Sequence, residues 1–268
     1  MDFLKKFDSV LPNQMKLSLY QRLKYECDKL ESLEDDMKIG DNIIEIKNFL
    51  NSFSVESEHQ EFKIPKIIHY CWFGKGNIPT LTQKCMESWK KYCPDYEIIE
   101  WNESNFDITS NLFVKQAYDS KKYAFVSDYV RAYVLFNFGG IYLDTDVELL
   151  KPLDEFLNHD GFTCFENPSF IQTALIGAKK NFHLINELLD YYKGRSFIIN
   201  GSFDLTTNVN ILSQICDAYG FVRDGQYQSV DGFIVYPQEY FCPLCFNSSE
   251  KTFTNNTHAI HYFNGSWR

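Results

Sequence analysis

Asp144 and Asp146 are the residues of this chain best placed to do chemistry. They stand in Gly139-Gly140-Ile141-Tyr142-Leu143-Asp144-Thr145-Asp146-Val147-Glu148, whose β-branched and aromatic alternation predicts a strand. On a strand over Ile141 to Val147, Ile141, Leu143, Thr145 and Val147 share one face; Tyr142, Asp144, Asp146 and Glu148 share the other. The two carboxylates then lie about 6–7 Å apart at Cα. Both can reach one divalent cation or its waters, since hard cations take oxygen ligands. An acidic face backed by an apolar one at a strand end suits a metal–diphosphate site. Asp-x-Asp alone favours a half-buried strand with a solvated acidic face, so the upstream residues decide.

Residues 123–137 read as a helix, with Ala124, Phe125, Val126, Val130 and Val134 packing inward and Gly139 as its stop. Ser127, Asp128 and Arg131 fall on one stripe of it, and Leu135 continues that stripe. An Asp–Arg pair on a helix surface contributes little. Inside an apolar helix that feeds the acidic strand, it reads as the holder of a polyhydroxylated ligand. Arg offers a donor fork and Asp two acceptors, which together suit vicinal hydroxyls.

The elements that must position these groups follow from periodicity. Residues 1–50 read as helical, with Leu17, Tyr20, Leu23, Cys27 and Leu30 as one apolar stripe, and Asn51 to Glu61 reads as a linker. This predicts a helical N-terminal extension over 1–61 and a catalytic domain over 62–268. Ile67 to Phe73 is a strand buried on both faces. Leu81, Cys85, Trp89 and Tyr92 give a helix ended by Pro94-Asp95, and Glu97 to Trp101 gives a second strand. Such alternation predicts an α/β sandwich with ligands at the carboxyl ends of its strands. Trp72 falls at such an end, where an aromatic ring can stack on a base. Gly74-Lys75-Gly76 lacks a dinucleotide fingerprint and a P-loop lysine, which disfavours NAD and ATPase readings.

Three ordered motifs closely resemble glycosyltransferase family 32, whose distant relatives include the large clostridial glucosylating toxins. They are Ser127-Asp128-Tyr129-Val130-Arg131 through Asp144-Thr145-Asp146; Ile64-Pro65-Lys66-Ile67-Ile68-His69-Tyr70-Cys71-Trp72-Phe73-Gly74 with Cys85-Met86-Glu87-Ser88-Trp89; and His261-Tyr262-Phe263-Asn264-Gly265-Ser266-Trp267. The resemblance spans residues 64–267 and implies a GT-A type, Rossmann-like mixed sheet flanked by helices. It implies retaining transfer of a hexose from a nucleotide-diphosphate sugar, UDP-linked, to an acceptor hydroxyl on a glycan or lipid-linked glycan of a bacterial polysaccharide or glycoconjugate. Mn2+ or Mg2+ is then held by Asp144, Asp146 and His261. Trp72, with His69, becomes the base platform. Ser127 and Tyr142 lie along the nucleotide, and Asp128 and Arg131 meet the donor sugar. Ser266 and Trp267 resemble a loop that closes over the diphosphate, with Gly265 as hinge. Phe263 departs from the toxins, which carry an acidic residue there. Glu166, Asn167, Asp204 and Asn208 are acceptor-side candidates.

Composition narrows the alternatives. With 268 residues, 44% hydrophobic and 17% aromatic, the chain can bury a large core. Its net charge of −10 makes nucleic acid an unfavourable partner, and an acidic protein needs a metal and local donors to bind an anionic sugar nucleotide. The eight cysteines form no disulfide framework, and no apolar stretch reaches a membrane span. A reducing cytoplasm is the expected setting, with room for peripheral association at the inner face of the membrane. Two other classes stay open. A metal-dependent pyrophosphatase or nucleotidyltransferase could use the aspartate pair but not the Ser-Asp-x-x-Arg helix. A non-catalytic carbohydrate-binding module has no reason to build a diphosphate-type metal site. Trp267→Ala is expected to lower turnover on the order of tenfold, about 1.4 kcal/mol of transition-state stabilisation, while UDP affinity changes less. Equal turnover in steady-state assays of mutant and wild type would make Trp267 an ordinary surface residue.

Overall fold

The computed structural model describes residues 62–244 and 251–264. The helical extension expected over 1–61 and the Ser266-Trp267 pair lie outside the described residues. Ile67–Cys71 (β1) is buried from Ile68 onward, as an interior strand must be. Thr80–Tyr92 (α1) follows, burying Cys85 and Trp89, with Lys90 and Lys91 in its last turn. Glu97–Trp101 (β2) then pairs parallel to β1. Leu112–Asp119 (α2) is capped by Asn111, whose side chain accepts from the Phe113 and Val114 N–H groups. Tyr123–Phe138 (α3) buries Val126, Val130 and Val134 and ends at Gly139, φ 71°. Gly140–Leu143 (β3) starts at a second glycine, φ 110°, where a Cβ would meet the Ile67 carbonyl oxygen at 2.7 Å.

After β3 come Val147–Leu149 (β4), Gly161–Asn167 (β5), Phe170–Ile171 (β6), Leu175–Ala178 (β7) and His183–Asp190 (α4). Ile198–Ile199 (β8) and Ser202–Phe203 (β9) form a hairpin. Asn208–Ala218 (α5), Gln228–Val230 (β10), Phe233–Tyr236 (β11) and Ala259–His261 (β12) complete the set. The main sheet runs β10-β11-β5-β7-β3-β1-β2, with β6 on β5. Its β1–β2, β1–β3 and β5–β11 pairs are parallel and its β3–β7 and β5–β7 pairs antiparallel. This is the mixed α/β, GT-A type Rossmann-like architecture that the sequence predicts.

Two expectations are corrected. The single strand predicted from Ile141 to Val147 is two strands. β3 ends at Leu143, Asp144-Thr145-Asp146 turns with Val147 N–H donating to the Asp144 carbonyl at 3.0 Å, and β4 leaves the main sheet to pair with β12. Glu148 therefore does not join the ligand face; it pairs with Lys84 at 2.9 Å and accepts from the Tyr262 hydroxyl.

The second correction concerns His69, expected beside the nucleotide. It is fully buried in β1. The Trp101 indole, a donor only, gives its N–H to His69 Nδ1 at 3.1 Å, so Nε2 carries the proton and donates to the Gly139 carbonyl at 2.8 Å. Both ring nitrogens are satisfied in the neutral form, and burial lowers the His69 pKa to about 4 against the Gly139 bond that raises it. Because the unfolded ring titrates near 6.5, the unfolded state binds the extra proton, and stability is lost as pH falls from about 6.5 toward 4. This amounts to about 3 kcal/mol for His69 by pH 4. His69→Gln, which can keep one donor and one acceptor, is expected to shrink the acid-induced fall in urea-unfolding free energy by that order. An unchanged pH slope would refute the assignment.

Candidate active site

The directions of the strands bring the site together. β1 and β3 are parallel, and β5 is antiparallel to β7, which is itself antiparallel to β3. The carboxyl ends of β1, β3 and β5 therefore open on one edge, together with the residues just before β7. They line a cleft of about 320 Å³ with Trp72, Asp128, Arg131, Asp144, Asp146, Glu166, Thr173 and His261 among its walls. Ligand sites at the carboxyl ends of α/β sheets have this origin.

The Asp144-Thr145-Asp146 turn is held from both ends. Asp144 N–H donates to the Ala174 carbonyl at 2.8 Å. Beyond the turn, α1 grips β4: the buried Trp89 indole donates to the Val147 carbonyl at 2.7 Å, and Ser88 Oγ accepts from Leu149 N–H at 2.8 Å. On the other side β12 pairs antiparallel with β4, setting His261 opposite Val147. The Tyr262 N–H then reaches the Asp146 carbonyl at 3.0 Å and the Asn264 N–H reaches Asp146 Oδ2 at 2.8 Å. Between them Phe263 adopts a left-handed φ of 52°, which turns the chain so that this N–H can point back at the carboxylate.

Asp144, Asp146 and His261 each offer a ligand atom within 4.8 Å of the others. His261 Nε2 lies 3.5 Å from Asp146 Oδ1, while its Nδ1 is buried with no protein partner among the described residues. Two carboxylates and an imidazole with an orphaned nitrogen fit a hard-to-borderline divalent cation such as Mn2+ or Mg2+. Burial raises the Asp144 carboxyl, against the pull of Arg131. Burial would raise Asp146 too, but His261 and the Asn264 N–H outweigh it, and its pKa is lowered. Burial would lower His261, yet the Asp146 carboxylate raises it.

Arg131, 4% exposed, lies behind this cluster. Its Nη2 donates to Asp144 Oδ1 at 2.7 Å, and its Nη1 bonds Thr173 Oγ1 and lies 3.4 Å from Asp128 Oδ1. The Tyr142 ring lies under the guanidinium, 4.5 Å from its carbon. The fork is thus engaged by protein, which makes Arg131 a residue that aims Asp128 and Asp144. Burial raises the Asp128 carboxyl to about 6 despite Arg131.

The other expected residues divide. Trp72 lines the cleft and its indole N–H donates to the Gly76 carbonyl at 2.8 Å, which fixes the ring against the Gly74 loop. Gly74 has φ 86°, and a Cβ there would lie 2.3 Å from the Tyr123 ring. Ser127, Tyr142, Glu166 and Asn208 also line the cleft. Asn208 is a prop: its amide donates to the Asp128 carbonyl at 2.8 Å, and its oxygen accepts from Tyr192. Asn167 and Asp204 do not line it; their side chains cap local turns at Ser169 and Thr206. The strand alternation that turns Glu166 inward turns Asn167 away. Thr173, Asn264 and Thr207 at the cleft were not foreseen, since only tertiary packing brings them there.

The family described as glycosyltransferase sugar-binding region containing DXD motif matches residues 79–163. Inositol phosphoceramide mannosyltransferase 3 of Schizosaccharomyces pombe is 33% identical over 126 residues, 46% of this chain and 35% of that protein. Mannosyl phosphorylinositol ceramide synthase CSH1 of Saccharomyces cerevisiae is 28% identical over 190 residues, 66% of this chain and 49% of that protein. The chain thus spans half or less of these curated relatives. Among solved structures, the PaToxG glycosyltransferase superposes with a TM-score of 0.44 at 19% identity, covering 58% of this chain and 69% of that one. The matched span of residues 79–163 takes in Asp144 and Asp146, two of the three members of the Asp144–Asp146–His261 cluster. Asp146→Asn keeps an oxygen for the Asn264 N–H but loses the charge. It is expected to leave the melting temperature within a few degrees of wild type and to lower turnover at saturating Mn2+ by at least roughly a hundredfold, about 2.7 kcal/mol. Wild-type turnover in the mutant would remove Asp146 from the metal site.

Proposed function

We propose that this chain is a retaining, metal-dependent hexosyltransferase of the family 32 type, moving a sugar from a nucleoside diphosphate, UDP, to an acceptor hydroxyl. The observation that carries the reading is the Asp144–Asp146–His261 ligand set in the same cleft as Asp128 and Trp72. Four carboxylates (Asp128, Asp144, Asp146 and Glu166) share that cleft with Arg131 and His261, so its negative charge exceeds its positive charge. Such a site suits a cation–diphosphate pair better than a neutral glycan alone.

A divalent cation bound by Asp144, Asp146 and His261 supplies Lewis-acid stabilisation of the leaving diphosphate. The chain's own groups do the rest. Trp72, braced at Gly76, presents its ring to the base, and Ser127 lies along the nucleotide. Asp128, ionised above pH about 6 and aimed by Arg131, accepts hydrogen bonds from donor-sugar hydroxyls. Glu166, with no protein hydrogen bond among the described residues, faces the acceptor side. The acceptor oxygen bonds to the anomeric carbon on the face from which the diphosphate departs. Its proton passes to the departing phosphate oxygen, so no separate carboxylate base is required. The inositol phosphoceramide relatives favour an acceptor carried on a lipid.

The nucleotide and the ion can be tested without the acceptor. UDP at roughly a hundred times its Kd contributes about 2.7 kcal/mol to stability, a shift of several degrees in Tm, and is expected to do so only with Mn2+ or a similar ion. GDP is expected to shift it far less. A metal-dependent shift with GDP and none with UDP would reassign the base, and no shift with either would overturn the transferase reading.

A further inference from the structure

Of nine large apolar side chains exposed among the described residues, four fall within eight positions: Ile198, Ile199, Phe203 and Leu205, each 38–58% exposed. They ride on the β8–β9 hairpin and the residues just after it. The two-residue turn, Asn200-Gly201 with φ 52° and 79°, is the tight type that suits a twisted hairpin. A two-stranded hairpin is marginal alone, and this one is anchored. The Ile198 N–H donates to Gln116 Oε1 on α2 at 3.0 Å, and the Asp204 N–H donates to the Phe197 carbonyl at 2.8 Å. Phe203 stacks on buried Phe197 with centroids 5.1 Å apart and planes at 17°, and Phe197 packs on cleft-lining Phe125 at 5.2 Å. Exposed Leu112 lies one turn before Gln116 on the same stripe of α2, which extends the patch.

The patch sits on the rim of the cleft: Leu205 is two residues from cleft-lining Thr207. Lys193 and Arg195 immediately precede β8 in sequence, and Lys121 and Lys122 lie between α2, which bonds the hairpin through Gln116, and Phe125, which packs on Phe197. Arg195 stacks 3.9 Å over the Tyr191 ring. Nearby, Lys115 is paired with Asp119, leaving four cations against the carboxylates of Asp190 and Asp204. On a chain of net charge −10, this rim has the opposite sign.

We propose that this hairpin patch docks the protein on an anionic lipid bilayer, with Ile198, Ile199, Phe203 and Leu205 in the interfacial layer and the four cations on the headgroups. Exposed apolar side chains flanked by Lys and Arg are the composition that such surfaces bind, and each basic residue near an anionic leaflet strengthens binding roughly fivefold. The acidic remainder of the chain is repelled from the same leaflet, which fixes the orientation and turns the cleft rim toward the membrane. A second copy of the chain is the poorer occupant. A two-fold contact would bring the cations toward their own copies. Five side chains also fall well short of the roughly twenty to thirty residues a side of a standard interface. The docking stands on the patch itself and not on the transfer reading, although it would serve a lipid-carried acceptor.

Sedimentation of the full chain with phosphatidylcholine vesicles, with and without phosphatidylglycerol, tests this. The wild type is expected to bind the anionic vesicles, less so at high salt, and to bind pure phosphatidylcholine weakly. Ile199→Asp with Leu205→Asp is expected to reduce anionic-vesicle binding at least about tenfold. Lys193→Glu with Arg195→Glu is expected to remove the preference for phosphatidylglycerol. Unliganded melting curves report folding of each variant. No vesicle binding by the wild type, or wild-type binding by folded variants, overturns the docking. A concentration-dependent dimer abolished by Ile199→Asp would hand the patch to a second copy. Variants that lose vesicle binding, from a protein in which no nucleotide shifts the Tm, would leave docking standing and the transfer reading fallen.

Discussion

A guanidinium sealed inside a protein must be neutralised, and most of the site is arranged around doing that for Arg131. Its two Nη groups take Asp144, Thr173 and Asp128 and the Tyr142 ring lies under it, while its Nε has no hydrogen-bond partner among the described residues. Removing one partner of such a buried group costs several kcal/mol, because the charge that remains has lost its compensation. The helix α3, the end of β3 and the residue pair before β7 are therefore tied by one side chain, and the two aspartates that face the cleft inherit fixed positions from it. Electrostatics also explain why this fixity does not make the cleft neutral. The carboxylates outnumber the cations, so the protein alone leaves an excess of negative charge that a divalent cation can offset, and that cation can in turn attract a diphosphate.

The turn that carries Asp144 and Asp146 depends on packing as much as on charge. Trp89 and Ser88 on α1 hold β4 from one side and β12 holds it from the other. Breaking the strand at Leu143 lets the backbone change direction, so that one aspartate stays with the main sheet and the next meets His261. A continuous strand would have kept the two carboxylates parallel and His261 out of reach.

Much of this was legible in residues 64–149. The helix of 123–138, its glycine stop, and the strands at 67–71 and 97–101 follow from local periodicity, which local structure obeys. The break inside Ile141–Val147 was not legible, because alternation of apolar and acidic residues looks the same in a strand and in a strand–turn–strand. His69 was misassigned for a related reason: a histidine in an apolar run gives no sign of whether a tryptophan thirty-two residues away has already claimed one ring nitrogen. Thr173 carried no local signal, since its role is set by Arg131 across the sheet. The hairpin over 198–203 was legible and overlooked, for Asn200-Gly201 between Ile198-Ile199 and Ser202-Phe203 is a strong short-range turn signal.

The pairing of β12 with β4 bears on the order in which the molecule is made. The main sheet is complete in sequence by Tyr236, whereas His261 arrives on a strand that joins a partner more than a hundred residues earlier. Contacts this far apart in the chain form late, because a long loop must close before they reward it. A chain emerging from the ribosome can thus hold its aspartates, its buried arginine and its cleft before it holds the histidine. The candidate ligand set gains its third member only when Ala259–His261 pairs with β4, so the two aspartates are in place before the imidazole joins them.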